Sequence, residues 1–146
     1  MIQHAGLPRL NANNHRVTSP ASKDYNCIAW AMGDTLHWWE PDRYWPIPIP
    51  DGDYGIGVLE VLFRVQGYTD CGVDARLEPG YENVALYGST QFYTHAAHQL
   101  ASGKWTSKLG KWMDIEHDTP EDVAGGTYGD LFQVMKRLLP QASAPK

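Results

Sequence analysis

The sequence predicts an α+β fold in which a cysteine-bearing helix near the N-terminus packs on an antiparallel sheet. Two observations predict it: apolar residues recur at helical spacing before Tyr68, and they alternate with polar residues after it. A run of helices followed by a run of strands is typical of α+β domains. The length of 146 residues suits one domain with a core of its own.

The first predicted elements are an arm and a short core helix. Residues 1–21 are rich in Asn and Pro and lack periodicity, so we expect an extended N-terminal arm. Residues 26–36 are apolar on nearly all sides, which predicts a helix buried at the domain centre. A single domain is expected over residues 22–140, and the Pro, Ala and Ser residues of 141–146 predict a frayed tail.

A long loop and a second helix follow. Four prolines between residues 38 and 53 exclude a regular helix or a central strand there, and the aromatic residues of this segment favour packing over disorder. In residues 54–66, apolar side chains recur at spacings of three and four, which predicts an amphipathic helix. Gly67 is placed to end it.

The second half of the chain predicts a meander of strands. Alternating segments separated by turn residues predict strands over residues 73–77, 83–88, 91–100 and 105–109. Thr119, Pro120 and Asp122 form the start signal of a short helix. Leu131, Val134, Met135 and Leu138 then recur at helical spacing and predict a last helix over residues 130–139.

Composition narrows the classes of function. The net charge is −5, from 12 basic and 17 acidic residues without a basic run, so nucleic acid is not an expected partner. The first residues lack a signal-peptide core, and no segment approaches the roughly 20 apolar residues of a membrane span. We therefore expect a soluble protein without a membrane partner, cytoplasmic or exported by a route that needs no signal peptide.

Cysteine and histidine placement argues against a metal. The chain has two cysteines, which are too few for a disulfide framework. We expect free thiols, and a single disulfide between Cys27 and Cys71 is the alternative. His98 lies three residues beyond His95, so on a strand the two point to opposite faces. We therefore expect no metal and no cofactor.

Cys27 and His95 form the candidate catalytic pair. Cys27 opens the predicted core helix, where the helix dipole and the first-turn amides favour a thiolate. His95 lies on a predicted strand beside the small residues Thr94 and Ala96, which leave room for a thiol and a substrate. A thiolate that attacks a carbonyl beside an imidazole that handles protons is the arrangement of Cys/His nucleophilic enzymes.

Three segments resemble papain-like proteases. These are CIAWA at residues 27–31, His95 followed by small residues, and Ser107-Lys108-Leu109-Gly110 at the point where those proteases carry Asn-Ser-Trp-Gly. The resemblance implies a papain-like fold and puts Ser107 where the Asn that orients the imidazole would be. Asp114 is an alternative for that role. His117 is another, of the kind used in related peptidoglycan-cleaving enzymes.

The resemblance also bears on the oxyanion hole and the substrate groove. Papain-like proteases carry a Gln six residues before the cysteine, and this chain has Ala21 there. The Cys27 amide is then the expected donor, with Asn26 or a residue of the aromatic loop as the second. Aromatic residues of that loop are expected to pack in the core or to wall a groove; they include Trp38, Trp39 and Trp45.

A wider resemblance covers about residues 19–137. The motifs YNCIAWA (25–31), THAA (94–97), WTSKLG (105–110) and DIEH (114–117) resemble those of a family of uncharacterised bacterial proteins. That family brings no established activity.

The first functional hypothesis is a papain-like cysteine hydrolase, a thiol protease or amidase, that acts on a peptide, an isopeptide or a peptidoglycan stem. A deamidase or acyl transferase, as in toxin-like effectors, would use the same site. The rival hypothesis is a non-catalytic scaffold that binds a partner protein as an immunity-type module, because a fold does not fix a function.

Overall fold

The main feature of the fold is a seven-stranded antiparallel sheet. The computed structural model describes residues 6–40, 44–45, 47, 55–109 and 112–139. The sheet order is β1-β6-β5-β4-β3-β7-β2, and every pairing is antiparallel. The strands are β1 (His15–Ser19), β2 (Thr69–Asp70), β3 (Tyr81–Gly88), β4 (Tyr93–Gln99), β5 (Trp105–Lys108), β6 (Asp114–His117) and β7 (Leu131–Leu138).

Both faces of the central strands are buried. Along β3, Val84 and Leu86 pack in one apolar cluster, whereas Ala85 and Tyr87 pack in another. Successive side chains on a strand point to opposite faces, so the two clusters lie on opposite sides of the sheet. We call them the helix-side cluster and the loop-side cluster. The site described below draws on both.

Two short helices supply the helix-side cluster. They are α1 (Cys27–Ala31) and α2 (Ile56–Val65). α1 lies against β4 and β5, and α2 lies against β3. α2 buries Ile56, Leu59, Leu62 and Phe63, the apolar positions that predicted it, and Gly67 follows its end with a φ of 98°.

Irregular segments cover the other face. Leu7 from the N-terminal segment and Val123 from a 3-10 turn (Pro120–Val123) are both buried in the loop-side cluster. The turn begins with the predicted capping box between Thr119 and Asp122. The Tyr87 hydroxyl donates a hydrogen bond of 2.7 Å to the Pro120 carbonyl and so ties β3 to this layer.

The predicted papain-like α+β fold, with a cysteine-bearing helix packed on a sheet, is wrong. Over the described residues the structure is mostly the seven-stranded antiparallel sheet, with two short α-helices and one 3-10 turn. Part of the error is residues 130–139, which form strand β7 and not a helix. Val134 and Met135 are adjacent and both buried, one in each cluster. When both faces of a strand are covered, neighbouring apolar residues imitate helical spacing.

Other differences concern short strands. β1 lies inside the predicted N-terminal arm and pairs with β6, a strand that its polar sequence DIEH did not predict. No strand forms over residues 73–77. The predicted hairpin succession of β3, β4 and β5 is present. The predicted tail at 141–146 lies outside the described residues, and the boundaries of the predicted domain stay a prediction.

Candidate functional site

A buried polar chain links three strands to the 3-10 turn. His95 on β4, Ser107 on β5 and His117 on β6 are all fully buried. His95 Nε2 lies 2.9 Å from Ser107 Oγ, which lies 2.8 Å from His117 Nε2. His117 Nδ1 lies 2.8 Å from the Thr119 carbonyl oxygen. The sheet brings these three side chains onto its loop-side face.

The chain of hydrogen bonds has a defined direction. A carbonyl only accepts, so His117 Nδ1 donates to Thr119. Burial lowers the pKa of both His95 and His117, with the charge of His117 a further cause at His95, so both rings are neutral near pH 7. His117 Nε2 therefore accepts from the Ser107 hydroxyl, and Ser107 Oγ accepts from His95 Nε2–H.

The series of hydrogen bonds from Thr119 through His117 and Ser107 ends at the His95 ring, whose other nitrogen is Nδ1. This nitrogen carries a lone pair, is buried, and has no hydrogen-bond partner among the described residues. An unpaired buried acceptor is costly, and structures usually satisfy such groups. Tyr128 stacks on the same imidazole, with ring centroids 4.0 Å apart and planes 8° from parallel. The ring is held on its Nε2 edge and on one face, and its basic nitrogen is left unused.

Cys27 is the first residue of α1 and belongs to the helix-side cluster. It is 8% exposed and lines a cleft of about 470 Å³. Burial raises the pKa of its thiol to about 11, although backbone N–H groups of Ala96, Ile28 and Cys27 itself and the charge of Lys108 act to lower it. Desolvation thus outweighs the helix terminus, and the resting thiol is neutral where the sequence favoured a thiolate.

Cys27 and His95 are neighbours through the main chain but are not hydrogen-bonded. The Ala96 N–H that acts on the Cys27 sulfur belongs to the peptide unit joining His95 to Ala96. Tyr128, which stacks on His95, also lines the Cys27 cleft. Within the described ranges, no hydrogen bond joins the thiol to a nitrogen of the His95 ring.

Of the three residues expected to orient His95, Ser107 contacts it and His117 contacts Ser107. Asp114 is buried elsewhere: it accepts a hydrogen bond of 2.9 Å from the Tyr25 hydroxyl and lies opposite Lys108 in the β5–β6 register. Asp114 pairs across the sheet with Lys108, not with Ser107. Among the described hydrogen bonds, none joins Asp114 to His95.

The residues expected at the groove divide between the cleft and the core. Trp38 lines the cleft, but the buried Trp39 does not. Trp45 lies against Tyr93, a lining residue, with ring centroids 5.9 Å apart. Asn26 also lines the cleft, yet its side chain caps α1 by accepting from the Ala29 N–H at 3.1 Å and donates to the Trp39 carbonyl at 2.8 Å. These bonds occupy its amide, which weakens it as an oxyanion donor.

Two residues near the site, Tyr128 and Lys108, were not among the functional residues that the sequence predicted. Tyr128 follows a Gly-Gly-Thr stretch with no periodicity to mark it. Lys108 is fully buried in β5, and its Nζ donates a bond of 2.7 Å to the Ser22 carbonyl and lies 5.0 Å from the centre of the Tyr25 ring. A buried lysine is rare enough that its strand position alone would not predict it.

Three further observations concern the thiols, possible metal ligands and the helices. Cys27 and Cys71 are both free thiols. No group of three or more His, Cys, Asp or Glu side chains in the described part of the chain is arranged to hold a metal ion. Among its helices, none has the length and apolar character needed to cross a membrane.

Comparison with known proteins identifies a family and no activity. A family model described as a domain of unknown function, DUF7689, matches residues 16–136. No curated protein and no solved structure matches the chain. None of these findings shows a papain-like resemblance. The matched range contains Cys27, His95, Ser107, His117 and Tyr128.

Proposed function

We propose that this chain, which belongs to the DUF7689 family, is a cysteine-dependent enzyme that cleaves an amide bond with Cys27 as nucleophile and His95 as general base and acid. The observation that carries the proposal is the Nδ1 of His95, which has no described partner. The next residue in the chain, Ala96, supplies the main-chain N–H that acts on the Cys27 sulfur. The other ring nitrogen of His95 is committed to Ser107. Nδ1 is therefore the atom available to take a proton.

The resting state is a neutral thiol and a neutral imidazole, so the reaction proceeds by general-base catalysis. The Cys27 sulfur attacks the substrate carbonyl carbon as its proton moves to His95 Nδ1. The tetrahedral intermediate collapses when the C–N bond breaks, and Nδ1 returns the proton to the departing nitrogen. Water then attacks the thioester with His95 again as base, releasing the acid and the thiol. In the structure Cys27 belongs to the helix-side cluster, whereas the His95 side chain lies on the loop-side face, so this step requires a local rearrangement of the cleft when substrate binds.

Ser107 and His117 act as positioning residues. Their bonds place the proton of His95 on Nε2, which leaves the lone pair on Nδ1. When His95 gains a proton, the positive ring donates a stronger bond from Nε2 to Ser107. The same chain therefore fixes the tautomer and stabilises the imidazolium that forms during the reaction.

The main-chain amides near the Cys27 sulfur support the oxyanion. N–H groups of Cys27 and Ile28 lie close enough to lower the thiol pKa. Donors of this type stabilise the negative oxygen of a tetrahedral intermediate in acyl transfer. The substrate is a peptide, an isopeptide or a peptidoglycan stem. Hydrolysis, transfer to an amine and deamidation differ only in the acceptor or the departing group.

An acylation assay tests the proposal. The protein is incubated with p-nitrophenyl acetate, and p-nitrophenolate release and the modified residue are measured, the latter by mass spectrometry. We expect acetylation of Cys27, its loss in Cys27→Ala, and a rate at least about 100-fold lower in His95→Gln. The matched control Cys71→Ser keeps the rate. Equal modification of both cysteines, or a rate unchanged in a folded His95→Gln variant, would refute the proposal.

A non-catalytic protein-binding module is the second candidate. The observation that favours it is the neutral, buried Cys27 thiol without a hydrogen bond to His95. Buried cysteines commonly serve as small apolar core residues. In that case Cys27→Ala leaves partner binding intact, and no acyl adduct forms on Cys27.

A further inference from the structure

The described wall of the cleft beside Cys27 contains one acidic residue. Of the described residues that line it, Glu40 is the one acidic side chain, and none is Lys, Arg or His. Within the described ranges, Glu40 takes part in no salt bridge. The described wall thus carries one acidic group and no basic one, while the buried Lys108 acts on the Cys27 end of the cleft.

Glu40 is held in place by an aromatic neighbour. The Trp38 indole N–H donates a hydrogen bond to Oε1 of Glu40. A carboxylate has about four lone-pair positions, so this single bond leaves capacity for further donors. Glu40 is also fixed by main-chain pairing with Tyr44 in a short antiparallel bridge. The carboxylate is thus oriented before any ligand arrives.

The rest of the wall is aromatic. Trp38, Phe92, Tyr93 and Tyr128 all line the cleft, and Phe92 is 62% exposed there. Aromatic faces attract cations through the ring quadrupole, with Trp the strongest. An exposed Phe and an oriented carboxylate in the same cleft offer little to a neutral polar ligand. It suits an alkyl chain that ends in a positive charge.

We propose that this cleft binds an alkylammonium group, so that the preferred substrate carries a lysine-like side chain next to the amide bond that Cys27 attacks. Glu40 pairs with the ammonium, and Trp38 and Phe92 contact it and its methylene groups. The assignment of the group as part of a substrate rests on the proposed function. The binding of the ammonium does not.

A binding experiment isolates this step from catalysis. The full chain with Cys27→Ala is titrated with Nα-acetyl-lysine N-methylamide, and with the norleucine and glutamate analogues. The Trp38 indole N–H signal, assigned with Trp38→Phe, reports binding by NMR. We expect the lysine probe to bind at least about 10-fold tighter than norleucine, as an ion pair and a cation–π contact allow. The glutamate probe is expected to bind weakest.

Matched variants test the residues. Glu40→Gln should remove most of the preference for lysine over norleucine, whereas Glu121→Gln, at an exposed glutamate of the 3-10 turn, should keep it. Phe92→Leu changes an exposed residue and should reduce the preference about threefold. Equal affinity for lysine and norleucine, or an undiminished preference in a folded Glu40→Gln variant, would overturn the proposal.

The two proposals fail separately. If Cys27 is acylated but the lysine probe shows no preference, the enzyme stands and the ammonium site does not. If the preference is present and depends on Glu40 but no acylation occurs, the cleft is an ammonium-binding site of a non-catalytic module.

Discussion

Ser107→Ala is expected to destabilise the protein more than any ordinary serine replacement. Ser107 is fully buried, and its hydroxyl bonds to two histidine rings at 2.9 and 2.8 Å. Without it, the Nε2–H of His95 and the Nε2 lone pair of His117 both lose their partners. An unsatisfied buried group costs about 1–3 kcal/mol, so with two such groups the free energy of unfolding should fall by about 2–6 kcal/mol.

Urea unfolding measures this loss, with an unchanged m-value as the check that only stability has changed. The control is Ser102→Ala, at an exposed turn position, which should stay within about 0.5 kcal/mol of the parent protein. The same Ser107 variant should acetylate Cys27 more slowly, because His95 is no longer held as the Nε2–H tautomer. A loss of stability below about 1 kcal/mol would show that the polar chain is not satisfied in the way described.

Two further predictions concern pH and backbone geometry. Because burial lowers the pKa of His95 and His117, the unfolded chain binds more protons than the folded one below about pH 6.5. The free energy of unfolding measured with urea should therefore decrease as the pH falls below about 6.5, by up to about 1.4 kcal/mol per pH unit for each ring. A profile that is flat in the parent protein, and equally flat in His117→Asn, would contradict this. Gly88→Ala should lower the free energy of unfolding, measured with heat or urea, by about 2 kcal/mol or more, because Gly88 has a φ of 131° and a Cβ there would lie 2.4 Å from the Phe92 carbonyl oxygen. The control is Gly57→Ala in α2, where an added Cβ would meet nothing within 4 Å beyond its chain neighbours and the backbone of its own helix, and it should be neutral or stabilising.

The parts of the fold that local pattern determines were predictable. α2 has a clear 3-4 repeat on one buried face, and the 3-10 turn has a capping box, so each is encoded within a few residues. β7 was not predictable in the same way, because its two adjacent buried residues face different clusters. β6 is polar in sequence and becomes a strand through its partners β1 and β5.

The candidate site follows the same division. The resemblance to papain-like proteases implied that Ser107 would lie beside His95, and the two side chains are hydrogen-bonded. The neutral state of Cys27 was not predictable, because it depends on how completely α1 and the sheet exclude water. Tyr128 reaches His95 from an irregular segment, so no periodicity reports it.

One feature of the sheet bears on how the site tolerates sequence change. β4 and β5 pair at two positions, His98 with Thr106 and Gln99 with Trp105. Earlier in β4, before this pairing begins, the main-chain N–H of Ala96 acts on the Cys27 thiol. A donor made of main chain survives any side-chain substitution except proline. The environment of the Cys27 sulfur is therefore encoded less in the identity of residue 96 than in where the two strands part.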